Sequence, residues 1–281
     1  MTTNTVQAGL NGSSPVNQSV TWSGSNILVQ ISLLTRRLLR AWATDPSAVV
    51  LGVLQPVVIL FLLTGVFSKV QITGGLPPGI TYFDYVLPAI MVDNAVQTAL
   101  QSGVGLIDDM KNGIVARLRS LPIQVSSLLV ARSLTNLVRS VIQVTVILTL
   151  AGLALGRFPQ SGILKISVAI SLTLLMGWSL GWLFLAASAW FRQAELFQNL
   201  AILILFPLMF ASSAYVPVSQ LPTWLAVVAR VNPLTYAINA TRALALNTPG
   251  AFDKAVPTIL LSVVLATLGS ILAVLGFRRP G

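Results

Sequence analysis

Two sets of polar residues interrupt an otherwise apolar sequence, and their spacing invites a chemical reading. Asp93, Asn94, Gln97, Gln101 and Asp108 fall within about 100° of one another on a helical wheel. Arg132, Asn136, Arg139 and Gln143 share one face of the next apolar stretch. Neither set makes a catalytic constellation. The chain has no histidine and no cysteine, which excludes a Ser-His-Asp triad, thiol chemistry, disulfides and the common zinc sites. It carries no G-x-x-x-x-G-K-[ST] loop to cradle phosphates, so it cannot hydrolyse ATP by that mechanism. What remains is the work of polar groups in apolar surroundings: lining a path for a cargo, or holding helices together. Spacing alone leaves both open. Asp93 and Arg139 are expected at matching depth, where a buried charge calls for a partner.

The elements that would position these residues follow from composition. Of 281 residues, 55% are hydrophobic and only 9% charged, far below the roughly 25% charged residues of a soluble domain. Six continuous apolar segments, at 49–68, 85–106, 126–155, 163–191, 200–216 and 256–277, are each near the ~20 residues that cross a bilayer as a helix. Continuous rather than alternating apolar character argues against a transmembrane β-barrel. The expected fold is all-α and polytopic. The net charge of +10 does not indicate nucleic acid, because the basic residues sit at the ends of apolar runs, where they set topology and meet anionic lipid.

With the N-terminus inside, the cytoplasmic side carries Arg36, Arg37, Arg40, Lys111, Arg117, Arg119, Arg132, Arg192, Arg278 and Arg279, against Lys69, Arg157, Lys165, Arg230, Arg242 and Lys254 outside. The excess of Lys and Arg favours both termini in the cytoplasm. Residues 1–26 read as a disordered polar tail without a signal peptide. Residues 27–45 read as an amphipathic interfacial helix, with Ile27, Ile31, Leu34, Leu38 and Trp42 on one face and Arg36, Arg37 and Arg40 on the other. Asp45-Pro46 ends it, and residues 46–281 form the six-span domain. The loop 108–122 carries Ile114, Leu118 and Leu121 at helical spacing with basic flanks, which suits docking to a soluble partner. Residues 217–254 are too polar and Pro-rich for a plain span and read as one or two short re-entrant helices. Gly177-x-x-x-Gly181 reads as close helix packing.

At this point the chain resembles the ABC-2-type transporter permeases, in particular the daunorubicin-resistance-type subgroup of drug and lipid exporters. The resemblance rests on Asp45-Pro46, Gln55-Pro56, Gly65-Val66-Phe67, and Gly113, Arg117, Leu118 and Pro122 of the loop. Its most specific part is Tyr215-Val-Pro217, Leu221-Pro-Thr-Trp-Leu225 and Val231-Asn-Pro-Leu-Thr-Tyr-Ala-Ile-Asn-Ala-Thr-Arg242. Asp108 and Asp109 stand where many relatives open the loop with glutamates.

The resemblance implies a permease subunit in a bacterial plasma membrane. It would pair with a second permease chain, identical or homologous, and with cytosolic ABC ATPases. No cofactor is expected on this chain; ATP and Mg2+ would be used by the partner ATPase. Coupling would fall on Arg36, Arg37, Arg40, Asp109, Gly113, Arg117, Leu118 and Pro122. The translocation path, or buried polar set, would be Asp93, Asn94, Gln97, Gln101, Arg132, Asn136 and Arg139. The outer gate would hold Pro217, Trp224, Asn232, Pro233, Tyr236 and Arg242. The cargo would be an amphipathic drug or lipid, giving efflux, antibiotic resistance or lipid export. An ion-coupled secondary transporter with Asp93 as coupling carboxylate is the alternative, although no inverted repeat of the spans is visible. A membrane scaffold is a third reading, and it leaves the polar stripes unexplained.

Overall fold

The computed structural model describes residues 26–67, 80–120, 124–156 and 161–278. Residues 1–25 of the expected tail at 1–26, and Lys69, Leu121, Pro122, Arg157 and Arg279, lie outside the described residues, while Asn26 caps the first helix. Among those described there are ten α-helices and no strand. Each of the six apolar segments falls mainly in one helix, although 163–191 outruns its helix by three residues and 200–216 by six. Helices α2 (Pro46–Phe67), α5 (Val125–Leu155), α6 (Gly162–Ser188) and α10 (Ala251–Arg278) are long and apolar enough to cross a membrane, whereas apolar α7 (Ala194–Phe210) is shorter. Their outer faces expose Leu62, Leu153, Leu203, Ile204, Leu260 and Leu275. A surface of that kind needs lipid as its solvent.

Helix α3 (Tyr82–Lys111) is the axis of the bundle. Its 30 residues extend about 45 Å at 1.5 Å each, and it packs on α2, α5, α6, α7 and α9 (Pro233–Ala245). It starts in a capping box, with the Thr81 hydroxyl accepting from the Asp84 amide and the Asp84 carboxylate accepting from the Thr81 amide. Close approach to α6 depends on small residues. A Cβ at Gly177 would stand 2.7 Å from the Ala95 Cβ, and one at Gly181 2.7 Å from the Asn136 Nδ2. The glycine pair thus meets Ala95 and Ala99 of α3, which is the expected packing role.

Helix α1 (Ile27–Ala43) lies against α5. Its buried positions are Gln30 and Leu34, with Ile31, Leu38 and Trp42 half-buried and Arg36, Arg37 and Arg40 exposed. Ile27, expected on the inner face, is exposed. Gln30 takes the inward place because its carbonyl accepts from the Gln124 amide at 3.2 Å and the Ser127 hydroxyl at 3.0 Å, at the start of α5. Asp45 both ends α1 and caps α2, accepting from the Ser47 hydroxyl and the Ser47 and Ala48 amides. These bonds hold its carboxyl below the ordinary carboxylate value.

After α7 the chain turns through Tyr215–Pro217 into a short 3-10 turn (Val218–Gln220) and two short helices, α8 (Thr223–Val231) and α9. Asn232 joins them. Its carbonyl caps α9 at the Leu234 amide (2.9 Å), while its amide donates to Leu208 O and Ala211 O, both at 2.7 Å. The stretch read as one or two short helices holds two, and α9 is no surface loop: Leu234, Ala237, Ile238 and Leu244 are fully buried against the bundle.

Candidate functional site

A cavity of about 650 Å³ opens between α2, α3, α5 and α7. Its polar wall comes from α3 and α5: Asp93, Asn94, Gln97 and Gln101 with Arg139 and Gln143. Its apolar wall comes from α7, with Ile202, Leu205, Phe206, Met209 and Phe210. Four of the five residues of the α3 stripe therefore face one space, while Asp108 lies exposed outside it. Part of it also serves packing. The Asn94 amide donates to Gly52 O of α2 at 3.0 Å, and the Thr98 hydroxyl donates to Gln143 Oε1 at 2.7 Å. Gly52 permits this junction, since a Cβ there would lie 2.3 Å from the Gln143 Nε2.

The stripe of α5 splits by height. Arg132 leaves the cavity and is bonded to Asp109 and to Gly105 O of α3, the one ion pair among the described residues. Asn136 is buried beside Gly181. Only Arg139 and Gln143 reach the cavity. Arg139 does not form the ion pair expected with Asp93, although both line the same space. Its guanidinium carbon lies 5.4 Å from the ring centroid of Trp42 instead, near enough for a cation–π contact.

The residues expected to touch a soluble partner gather at one end of the bundle. Gly113 has φ +71° with open space around its Cβ position, so the glycine serves the backbone turn. Helix α4 (Ile114–Arg119) follows. Val115 is its buried residue, and Leu118 packs partly onto the cluster of Leu34, Leu106, Leu128 and Leu129. The apolar face of α4 is thus turned inward onto α1, α3 and α5, leaving Ala116 and Arg117 exposed. Asp109, expected in the coupling set, is buried in its bond to Arg132.

The gate residues occupy the opposite end. Trp224 is 70% exposed on α8, beside the outward Val227 and Val231. Pro233 opens α9, and the Tyr236 hydroxyl donates to Arg230 O at 2.9 Å. Pro217 and Arg242 border a second cavity of about 290 Å³. Arg242 is only 8% exposed and lies 3.6 Å over the Tyr85 ring. Its Nε donates to Tyr85 O (2.9 Å), its Nη2 to Ser213 O (2.7 Å) and Ala214 O (3.3 Å), and its Nη1 to Asn239 Oδ1 (3.2 Å).

Sequence reasoning missed Gly52, Trp42 and Gln198 as parts of the central site, and Asn239 and Lys254 at the second cavity. Gln198 had a usable signal, an amide pair with Asn199 in the first half of an apolar helix. Gly52 and Trp42 had none, because their roles depend on which helix comes alongside.

Comparison with known proteins agrees with this architecture. The family model described as ABC-2 type transporter matches residues 29–246. The chain is 28% identical over 219 residues to the daunorubicin resistance ABC transporter permease protein of Streptomyces coeruleorubidus, covering 77% of this chain and 75% of the relative. It is 23% identical over 252 residues to a protein of Mycobacterium tuberculosis named as a probable doxorubicin resistance ABC transporter permease, covering 90% and 89%. The matched span takes in the central cavity, α4 and α1 from its third residue on, and on it the chain belongs to the ABC-2 type transporter family.

Proposed function

We propose that this chain is the membrane-embedded permease subunit of an ATP-driven exporter of amphipathic molecules, a drug or a lipid. The observation that carries the reading is the cavity of about 650 Å³, with amide and charged groups on one wall and Phe206, Met209 and Phe210 on the other. Its volume is in the range of drug-sized sites, roughly 300–1,000 Å³. A two-sided wall suits a cargo that is itself polar on one side. The names of the Streptomyces and Mycobacterium relatives support the same class.

Energy would come from a separate cytosolic ATPase using ATP and Mg2+, since this chain carries no phosphate loop. Its contact surface is the end bearing Arg36, Arg37, Arg40 and Arg117. Because α1 and α4 share one apolar cluster, a push on either moves both, and the ion pair of Asp109 with Arg132 passes it to α5. A second permease chain completes the unit, in a bacterial plasma membrane with both termini cytoplasmic. Release is towards the α8–α9 end.

The test is reconstitution in liposomes with and without the cognate ATPase, following a fluorescent anthracycline and a labelled phospholipid. Movement of at least one of them should require both ATP and the ATPase. Movement by the permease alone, driven by an ion gradient, would overturn the reading in favour of Asp93 as a coupling carboxylate.

A further inference from the structure

The cavity beside Arg242 offers donors and positive charge without an anion to receive them. Four hydrogen bonds from Arg242 end on carbonyl oxygens. Carbonyls satisfy donors but leave the charge in place, and one of the five guanidinium N–H groups is left over. Asn239 Oδ1 accepts from both Arg242 Nη1 and the Ser213 hydroxyl, at 3.2 and 2.7 Å. That double demand fixes which end of the amide is oxygen, so its Nδ2 is free to donate towards the cavity it lines. Lys254 lines the same space from the first turn of α10.

Among the described residues no carboxylate lines this cavity. Asp84 is held by Thr81 through its amide (3.0 Å) and its hydroxyl. Asp253 precedes Lys254, but its Oδ2 lies towards Gly250. The nearby turn is itself basic, with Lys165 donating to Asn247. Two cations and a free amide around about 290 Å³ make a recognition set for a tetrahedral anion, because guanidinium, ammonium and amide donors strengthen on charged oxygens.

We propose that this cavity binds a phosphoryl group, carried on an amphipathic lipid or free in solution, through Arg242, the Asn239 amide and Lys254. The inference stands on the cavity and not on the export reading, and it can be tested without any ATPase.

The full-length chain in detergent is titrated with short-chain phosphatidylglycerol, with the matching diacylglycerol lacking phosphate, and with inorganic phosphate, reading melting temperature and native mass. Phosphatidylglycerol should bind saturably and diacylglycerol should not. Lys254→Gln should weaken binding about tenfold, the size of one charge-assisted hydrogen bond. Asn239→Asp keeps the acceptor for Arg242 and Ser213 but places an anion in the cavity, and it should abolish binding while the unliganded protein melts no lower. Saturable, variant-sensitive binding of inorganic phosphate would support the site with free phosphate as its source. Equal binding of phosphatidylglycerol and diacylglycerol, or unaltered binding by both variants, would overturn it. Should Asn239→Asp fail to fold, the exposed Lys254→Gln decides.

Discussion

Two buried arginines brace opposite ends of the bundle, and they are satisfied in different ways. Arg132, towards the α1–α4 end, is bonded to a carboxylate and a carbonyl. Arg242, at the α9 end, is held by carbonyls, an amide oxygen and the face of Tyr85. The first arrangement is neutral, even with the Arg132 Nε left without a partner, so it acts as a joint between α3 and α5. The second fixes position just as firmly and leaves net charge beside a cavity. Burial alone therefore does not tell a structural arginine from a binding one. The partner's charge does.

That contrast can be broken in three places. The largest effect should come from Asp109→Asn, which leaves Arg132 buried without its anion and should lower detergent-solubilised stability by about 3–5 kcal/mol. Adding Arg132→Gln should recover much of the loss, because the costly species is the lone charge. Two independent, additive losses would show that the pair is not a joint. Arg242→Gln should cost less, about 2 kcal/mol. It strands the carbonyls of Tyr85, Ser213 and Ala214, which the adjoining cavity can rehydrate. Arg242→Lys should restore little, since an ammonium cannot fork between those carbonyls. Full rescue by lysine would mean that charge and not geometry holds this end.

The third arginine falls between the two. Arg139 lines the central cavity without an ion pair and rests on Trp42. A double-mutant cycle of Asp93→Asn with Arg139→Gln should give losses that add within about 0.5 kcal/mol. Coupling well above that would place an ion pair across the cavity. Trp42→Leu measured beside it should couple to Arg139→Gln, by the roughly 0.5–2 kcal/mol of a cation–π contact.

How much of this was legible in the sequence depended on whether a feature is local. Asp45-Pro46 is a local signal, and it marks both the end of α1 and the cap of α2. The α3 stripe from Asp93 to Gln101 was also readable, because one helix carries it and one cavity receives it. The α5 stripe was not. From Arg132 to Gln143 it climbs about 16 Å, and each height meets a different neighbour: Asp109, then Gly181, then the cavity. A helical wheel gives direction but not height. Leu118 shows the same limit. Its spacing marks an apolar face, yet only the fold reveals that α1, α3 and α5 partly cover it.

One segment gains meaning from where its carbonyls go. Ser213 and Pro217 border the α9-end cavity, while Tyr215 between them borders the central one. The stretch is outside any helix, and its carbonyls accept from side chains: Tyr85 and Arg242 at Ser213, Arg242 at Ala214, Tyr82 at Tyr215. Each such bond is worth about 1 kcal/mol net, and apart from the two that share the Arg242 Nη2 they come from separate side chains rather than from the rungs of one helix. The partition between the two chambers can therefore loosen one bond at a time, while every helix around it must melt cooperatively or stay whole. In the mechanics of the bundle it is the seam, the place where a small applied force would be felt first.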